Sequence, residues 1–349
     1  MPNWLESMQQ TYEYYIVDPK TWGDAKQIFN ISSSSIEWDS TSETRGSASI
    51  NLLNVLDECY IRIYLITVQN GIRERFPLGT FLFQTPSLSF DGKTNSVSLE
   101  GYSPLIELKE KSPPLGYSIL KKENIIDFAY KLTSENVRAP VIKCSDTKLL
   151  DNGNFISNTD DTWLTFISDL LSYANYSFSL DELGHILFSP IQDTKSLQPV
   201  WTFDDGNSSI LYQDVSIDRD LYGIPNVVEV IYSDSNKYSY AKSVNNDPNS
   251  PISTVTRGRE IIYRVTNPNI NSDNIQQYAD QLLRNLSALE YTVKYSHGYC
   301  PVRIGDCVML NYSQLGLKNV KAKVINQSID CSAGCKVSET ATFTSQLWG

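Results

Sequence analysis

Histidine is scarce in this sequence, with two residues among 349. Its charge changes near neutral pH and it is the commonest metal ligand in proteins, so this scarcity limits the sites that the chain can build. Long hydrophobic runs are also missing, since none approaches the ~18 apolar residues that indicate a membrane-spanning helix. The start, MPNWLESMQQ, contains a glutamate and no apolar stretch, so we expect no signal peptide.

The familiar sequence patterns of nucleotide-binding and hydrolytic enzymes are absent as well. The chain has no dinucleotide-binding glycine pattern, no phosphate-binding loop, no zinc-protease helix motif and no nucleophile elbow. Its 29 basic and 40 acidic residues give a net charge of −11, which disfavours stable binding to nucleic acid or to a membrane surface. Without an export signal, the six cysteines are expected to be free thiols in a reducing cytosol.

One stretch, YSHGYCPVRIGDCVMLNY, raises the question of a metal or thiol site. The candidate set is His297, Cys300, Cys307, Cys331 and Cys335. The gaps between the cysteines are six, twenty-three and three residues, whereas each pair in a structural zinc site is usually two to four residues apart. Alternation in GDCVMLNY predicts a strand, CSAGC predicts a hairpin turn, and the histidine before Gly298 is interpreted as a turn residue. Plain β-structure is therefore favoured over zinc or a catalytic thiol.

Three further candidates receive structural interpretations. The segment that begins at Asp151 has its glycine third instead of sixth and no glutamate at the twelfth place, so it predicts a polar loop and not a calcium loop. Asp204 and Asp205 are adjacent, and adjacent residues of an extended chain point to opposite faces, so a turn is favoured over an acid–base pair. His185, next to a turn glycine, is interpreted as a hairpin residue. We expect no catalytic, cofactor-binding or metal site.

Aromatic residues are abundant, with 21 Tyr, 12 Phe and 6 Trp, and this favours sheet over helix. Residues 11–102 read as successive strands, with a hairpin turn predicted at QNG, which indicates an antiparallel barrel or sandwich. Helices are predicted after Asn124, over 161–175 and over 272–289, where apolar residues recur at helical spacing. The remaining segments, from PVWTFDDG onward, again predict strands.

Three stretches together resemble the hub proteins of phage tails and phage-tail-like particles, the family that includes baseplate hubs and late-control protein D. The first is the β-rich region that ends in SLEGYSPLIEL, and the second is TWLTFISDLLSYANYSFSLDELGHILFSP. The third pairs IPNVVEVIY with a later long helix, PVRIGDCVML and a final pair of strands. In that family the RIGD segment starts a strand of the closing β-domain, so the resemblance implies that the stretch around Cys300 and Cys307 is scaffold.

The resemblance implies a mainly β fold with α+β insertions, in which two tube-forming, β-barrel-like domains carry peripheral α/β domains. The expected division is 1–107 for the first tube-type domain, 108–200 for an α/β insertion, 201–233 with 291–349 for the second tube-type domain, and 234–290 for a peripheral insertion with a long helix.

The implied function is that of a structural baseplate or tail-tip hub, without enzymatic activity or cofactor. The implied partners are two further copies in a homotrimer, the sixfold tail tube or distal tail ring, a threefold spike or tip protein, and the tape measure protein, with DNA passing through a central channel. The implied location is the virion tail or a tail-like particle, after synthesis in the bacterial cytoplasm. The alternatives are a carbohydrate-binding receptor or adhesin module, suggested by the tyrosine excess, and a tail-associated cell-wall hydrolase.

Overall fold

The computed structural model describes residues 2–53, 56–90, 92–93, 95–151, 153–206, 209–233, 238–266, 268 and 274–348. The chain divides into two compact units. The first unit comprises Met1–Asp214 and Tyr295–Thr340, and the second comprises Val215–Lys294 and Ala341–Gly349. Among the described residues, no helix is both long enough and apolar enough to cross a membrane.

The first unit begins with seven strands, as the alternation of residues 11–102 predicts, and the described residues between them form no helix. They are β1 (Gln9–Val17), β2 (Asp24–Ile28), β3 (Ile31–Asp39), β4 (Gly46–Leu52), β5 (Cys59–Gln69), β6 (Ile72–Phe90) and β7 (Asn95–Tyr102). Asn70 and Gly71 both have positive φ, 52° and 78°, which is the two-residue turn that the QNG sequence predicts. The strands form a sheet in the order β3-β4-β7-β6-β5-β1-β2, and all these neighbours pair antiparallel.

A helical insertion follows these strands. Its elements are α1 (Ile106–Lys109), β8 (Ser118–Ile119), α2 (Ile125–Asn136), β9 (Phe155–Ile156), α3 (Trp163–Tyr173), β10 (Tyr176–Leu180) and β11 (Ile186–Pro190). Asn124 caps α2 by accepting a hydrogen bond from the backbone N–H of Asp127, as predicted. Helix α3 is two residues shorter at each end than the predicted 161–175, because Thr162 and Thr165 form a capping box that starts it at Trp163.

The predicted apolar stripe of α3 is buried. Phe166, Ile167, Leu170 and Leu171 lie in one core cluster with α2 and with the β10–β11 hairpin. Val17, Tyr60 and Leu82 of the sheet, and Trp22 of the β1–β2 turn, belong to the same cluster. The insertion therefore covers one side of the sheet at β1, β5 and β6, and contributes to the burial of β5 at Tyr60 and Arg62.

The turn between β10 and β11 is held against this sheet by hydrogen bonds to its backbone. Arg62 donates from Nη2 to the carbonyl oxygen of Leu183 (3.0 Å), and the indole N–H of Trp22 donates to the same oxygen (2.8 Å). The hydroxyl of Thr80 donates to the carbonyl oxygen of Glu182 (3.1 Å). Gly184 has φ +79°, and a Cβ there would lie 2.8 Å from Cβ of Thr80, so the contact leaves no room for a side chain.

The chain then returns to strands: β12 (Pro199–Asp204), β13 (Ser216–Arg219), β14 (Val227–Ser233), β15 (Tyr238–Val244), β16 (Ile262–Thr266), β17 (Ala288–Gly298), β18 (Cys307–Tyr312), β19 (Leu317–Asp330) and β20 (Lys336–Gln346). In the first unit, β18 pairs parallel with β12 and antiparallel with the first half of β19. The second half of β19 pairs with β3, so the later strands join the sheet of the first seven.

The second unit contains a three-stranded sheet in the order β15-β14-β16 and two helices, α4 (Thr254–Arg257) and α5 (Ile275–Leu286). Helix α5 lies within the predicted span 272–289, of which residues 272 and 273 are outside the described residues. Its Ile275, Ala279 and Leu283 form a small core with Val228 and Val230 of β14.

The predicted fold class, mainly β with helical insertions, is confirmed. The fourfold domain division remains a prediction.

We expect Leu170→Ala to lower the free energy of unfolding by about 3 kcal/mol, since Leu170 has no exposed surface and its removal leaves a cavity. Ser172→Ala, on the exposed side of the same helix, should change it by less than about 0.5 kcal/mol. Urea unfolding followed by circular dichroism measures both. Equal midpoints for the two variants would contradict the burial of this helix.

We expect Gly184→Ala to destabilise the protein by about 1–3 kcal/mol more than Gly116→Ala. Both glycines have similar positive φ, +79° and +72°, so the backbone strain of an added Cβ is matched. Only the Cβ at 184 meets another side chain within 4 Å. The same unfolding assay makes the comparison, and an equal loss at the two positions would show that the turn is not held tightly against the sheet.

Candidate functional site

The structure of the stretch around His297 agrees with two predictions and contradicts a third. Cys307 begins β18 and the segment Cys331–Cys335 connects β19 to β20, as the alternation and the CSAGC sequence predict. His297 was expected in a turn, and this is wrong: it lies in β17 and its side chain has no exposed surface. Alternation in β17 was the available signal, because Val293, Tyr295 and His297 share the buried face.

His297 belongs to a buried polar cluster that ties three strands together. The carboxylate of Glu339, in β20, accepts hydrogen bonds from the hydroxyl of Tyr295 (2.6 Å) and from Nε2 of Gln327 in β19 (2.7 Å). Nε2 of His297 lies 3.4 Å from Oε1 of the same carboxylate. The ring of Phe203 packs against the imidazole, with 4.5 Å between ring centroids. The hydrogen bonds from Tyr295 and Gln327 to Glu339 link β17, β19 and β20 and help to specify their pairing, whereas Nε2 of His297 itself has no hydrogen-bond partner among the described residues.

The cluster does not form an activated thiol. Nδ1 of His297 lies 2.6 Å from the carbonyl oxygen of Gly298, so this nitrogen carries the proton and donates it there. Sγ of Cys300 is 3.8 Å from that nitrogen, and burial raises the pKa of its thiol far above the ordinary value. Burial, and then the nearby carboxylate of Glu339, also raise the pKa of Tyr295. The thiol therefore stays protonated and inaccessible.

Burial also raises the thiol pKa of other cysteines. All six cysteines are free. Burial raises the pKa of Cys335 to about 11 and that of Cys331 to about 12. Among the described residues, no group of three or more His, Cys, Asp or Glu side chains is placed to hold a metal ion.

The remaining sequence candidates have local structural partners. His185 lies at the β10–β11 turn, where its Nδ1 is 2.7 Å from Oδ2 of Asp181. Asp204 accepts a hydrogen bond from the backbone of Gly206, whereas Asp205 accepts two from Ser313, which lower its pKa. The two carboxylates therefore have separate partners and do not act as a pair. In the loop that begins at Asp151, Asn152 lies outside the described residues.

A cleft of about 780 Å³ adjoins the buried cluster at Gln327. One wall is β19, another is the outer face of the β10–β11 hairpin, and a third is the loop 299–306. Its acidic groups are engaged, since Glu182 pairs with Arg303, and Asp306 accepts a hydrogen bond from the backbone of Arg303. Burial raises the pKa of both carboxyl groups. The cleft is large enough for a small molecule or a peptide segment.

Solved structures with a similar fold include two tail proteins and a chain of a PdpA–VgrG complex. A tail protein from Neisseria meningitidis has a TM-score of 0.63 at 13% identity, covering 96% of both chains. The 43 kDa tail protein of prophage MuSo2 from Shewanella oneidensis has a TM-score of 0.61 at 10% identity, covering 95% of this chain and 97% of that one. A chain of the Francisella PdpA–VgrG complex has a TM-score of 0.58 at 10% identity, covering 99% of this chain and 53% of that chain.

No protein-family model matches the sequence, and no curated protein matches it either.

Purified protein should contain well under one zinc ion per chain, because no suitable ligand group exists among the described residues and the cysteine spacing is wrong for a zinc site. Elemental analysis gives the metal content, and a thermal melt with and without a chelator gives its effect on folding. Stoichiometric zinc whose removal unfolds the protein would contradict this.

At identities this low the likeness establishes the fold: the chain has the fold of phage and prophage tail proteins, which confirms the resemblance recognised in the sequence.

Proposed function

We propose that the protein is a structural hub of a phage tail or phage-tail-like particle, in which three copies form a ring between a sixfold tail tube and a threefold spike or tip. The shared fold with tail proteins supports a structural role in a tail. The similarity to a chain of a complex that contains VgrG supports association with other tail components. The trimeric ring, its symmetry and its channel are inferred from the two faces of the sheet β3-β4-β7-β6.

The observation that carries the proposal is the two-sided character of the sheet β3-β4-β7-β6. On its outer face, Ser33, Asn51, Ser98 and Ser87 lie side by side in register, and Ser35, Ser49 and Glu100 form the adjacent row. We call these seven residues the serine face. All of them are exposed or half-buried. Short hydroxyl side chains with an added carboxylate offer neither apolar contact nor positive charge, so this face suits the wall of a channel through which DNA passes.

The opposite side of the same sheet carries apolar side chains. Those near the end of β6 are exposed to solvent. Leu88 pairs in register with Val97, whose side chain is buried on the core side, yet Leu88 is 65% exposed. Phe90, two residues further along the strand, is 66% exposed. Strand β2 lies at the end of the sheet and is followed by the exposed Phe29. Exposed apolar sheet ends favour contact with another chain, and a head-to-tail contact that closes after three copies would cover them.

The domain division follows from this proposal. Residues 1–107 form the first tube-type domain and 108–200 a peripheral insertion. The second tube-type domain, expected at 201–233 with 291–349, takes β12, β13 and β17–β20. Because β14 pairs with β15 and β16, it goes with the second peripheral insertion, which the sequence placed at 234–290. Two tube-type domains in each of three copies give six around the axis, which matches a sixfold tube.

We also infer that the chain has no catalytic role of its own, so any wall-degrading activity belongs to a partner. The support is that His297, Cys300 and Glu339 are buried and serve the pairing of strands. A zymogram on cell-wall substrate tests this, and clearing by the purified chain would contradict it.

Imaging of the assembled particle, or of the chain co-expressed with its tube and spike neighbours, should show three copies around a central channel. We expect Leu88→Asp with Phe90→Asp to prevent ring formation, because charged side chains cannot enter an apolar contact.

The control is Leu115→Asp, which places the same charge on a residue that is 85% exposed in the α/β insertion. It should assemble normally. A two-fold assembly, a ring built by residues 108–200, or normal rings from the Leu88 and Phe90 variant would contradict the proposal.

A further inference from the structure

The three-stranded sheet of the second unit has one covered side and one open side. On the covered side, Val228, Val230 and Ala241 pack against α5. On the open side, Ile231 of β14 lies in register between Tyr240 of β15 and Thr266 of β16. Tyr238 lies two residues before Tyr240 and so points to the same side, about 7 Å along the strand.

Two tyrosine rings dominate the open side. Tyr238 is 68% exposed and Tyr240 is 49% exposed. An open sheet face normally carries polar side chains, so an adjacent pair of exposed aromatic rings indicates a binding surface. We call Ile231, Tyr238, Tyr240, Thr266 and the charged row described next the tyrosine face.

The charged row of the tyrosine face is balanced. Glu229 lies in register between Lys242 and Arg264. Nε of Arg264 donates to Oε2 of Glu229 (2.7 Å), and Nζ of Lys242 donates to Oε1 of Glu260 (3.0 Å). The hydrogen bond from Arg264 is the largest cause of a lowered pKa at Glu229. Each cation therefore has its own carboxylate, and the face offers no excess charge to a polyanion or an anionic lipid.

We infer that the tyrosine face binds a neutral oligosaccharide. A sugar ring presents a face of C–H groups that packs on an aromatic ring, while its hydroxyl groups donate to carboxylates and accept from guanidinium and ammonium groups. Tyr238 and Tyr240 supply two such rings on one strand, and the row Lys242–Glu229–Arg264 supplies fixed donors and acceptors beside them. Charge balance favours this occupant over nucleic acid, and the polar row favours it over an apolar partner helix. The inference stands independently of the proposed ring.

The test is binding of the full-length purified chain to an array of neutral and charged oligosaccharides, followed by titration calorimetry with the best neutral one. Tyr238→Ala and Tyr240→Ala should each weaken that binding at least tenfold. Tyr222→Ala is the matched control, because this tyrosine of the second unit is 92% exposed and lies outside the sheet. It should bind as the unaltered chain does.

Circular dichroism verifies that the variants are folded, and because both target side chains are largely exposed, their removal should leave the fold intact. Absence of binding to every neutral oligosaccharide would overturn the inference. Binding of charged glycans alone, or equal losses in the Tyr222 and Tyr240 variants, would overturn it too. Protection of Tyr238 and Tyr240 from chemical modification by a tail partner or a second copy, without any sugar binding, would assign the face to protein contact instead.

Discussion

The buried guanidinium of Arg62 is the interaction on which the architecture of the first unit depends. It pairs with Asp24 (3.0 Å) and donates to the Thr80 hydroxyl (2.9 Å), and it also donates to the carbonyl oxygens of Trp22 and Leu183. A charge with this little exposure is tolerated only when its donors are satisfied. These partners lie on β2, β6, the turn before β2 and the β10–β11 turn, so one side chain joins the sheet to its insertion.

This attachment also contributes to a feature of β5 that a free-standing sheet would not show. A strand exposed on one side alternates between apolar and polar residues, whereas β5 is buried from Tyr60 to Thr67. One side of the strand faces the core of the sheet, and Tyr60 faces the cluster that contains α3. In β3 and β4, which the insertion does not cover, buried and exposed residues alternate, and the exposed residues contribute to the serine face. The position of the insertion thus helps to decide which parts of the sheet remain exposed.

Local patterns predicted much of this fold, and contacts between distant residues were the part that they could not predict. The stripe of α3, the cap at Asn124 and the Asn70–Gly71 turn are each encoded within a few residues. The pairing of β19 with β3 joins residues almost 300 positions apart, and no local period encodes such a choice.

The candidate site shows the same limit. The sequence predicts plain β-structure around His297 and the cysteines, but it gives no sign that Glu339 and Gln327 join the same buried cluster. Gly298 suggested a turn at His297, and the burial of a whole sheet face outweighed that local preference.

Two open sheet faces in one chain have opposite chemistry, and the difference is physical. Serine has a short side chain that presents one hydroxyl and little apolar area, so the serine face offers little contact area to another molecule. Tyrosine presents a large, rigid ring with two χ angles, and therefore gains contact area at a low cost in conformational entropy. Tyr238 and Tyr240 are held on a sheet backed by α5, which fixes their spacing before any ligand arrives. A surface proposed to let DNA pass and a surface proposed to hold a sugar need different residues on the same β framework, and this sequence supplies each on a separate sheet.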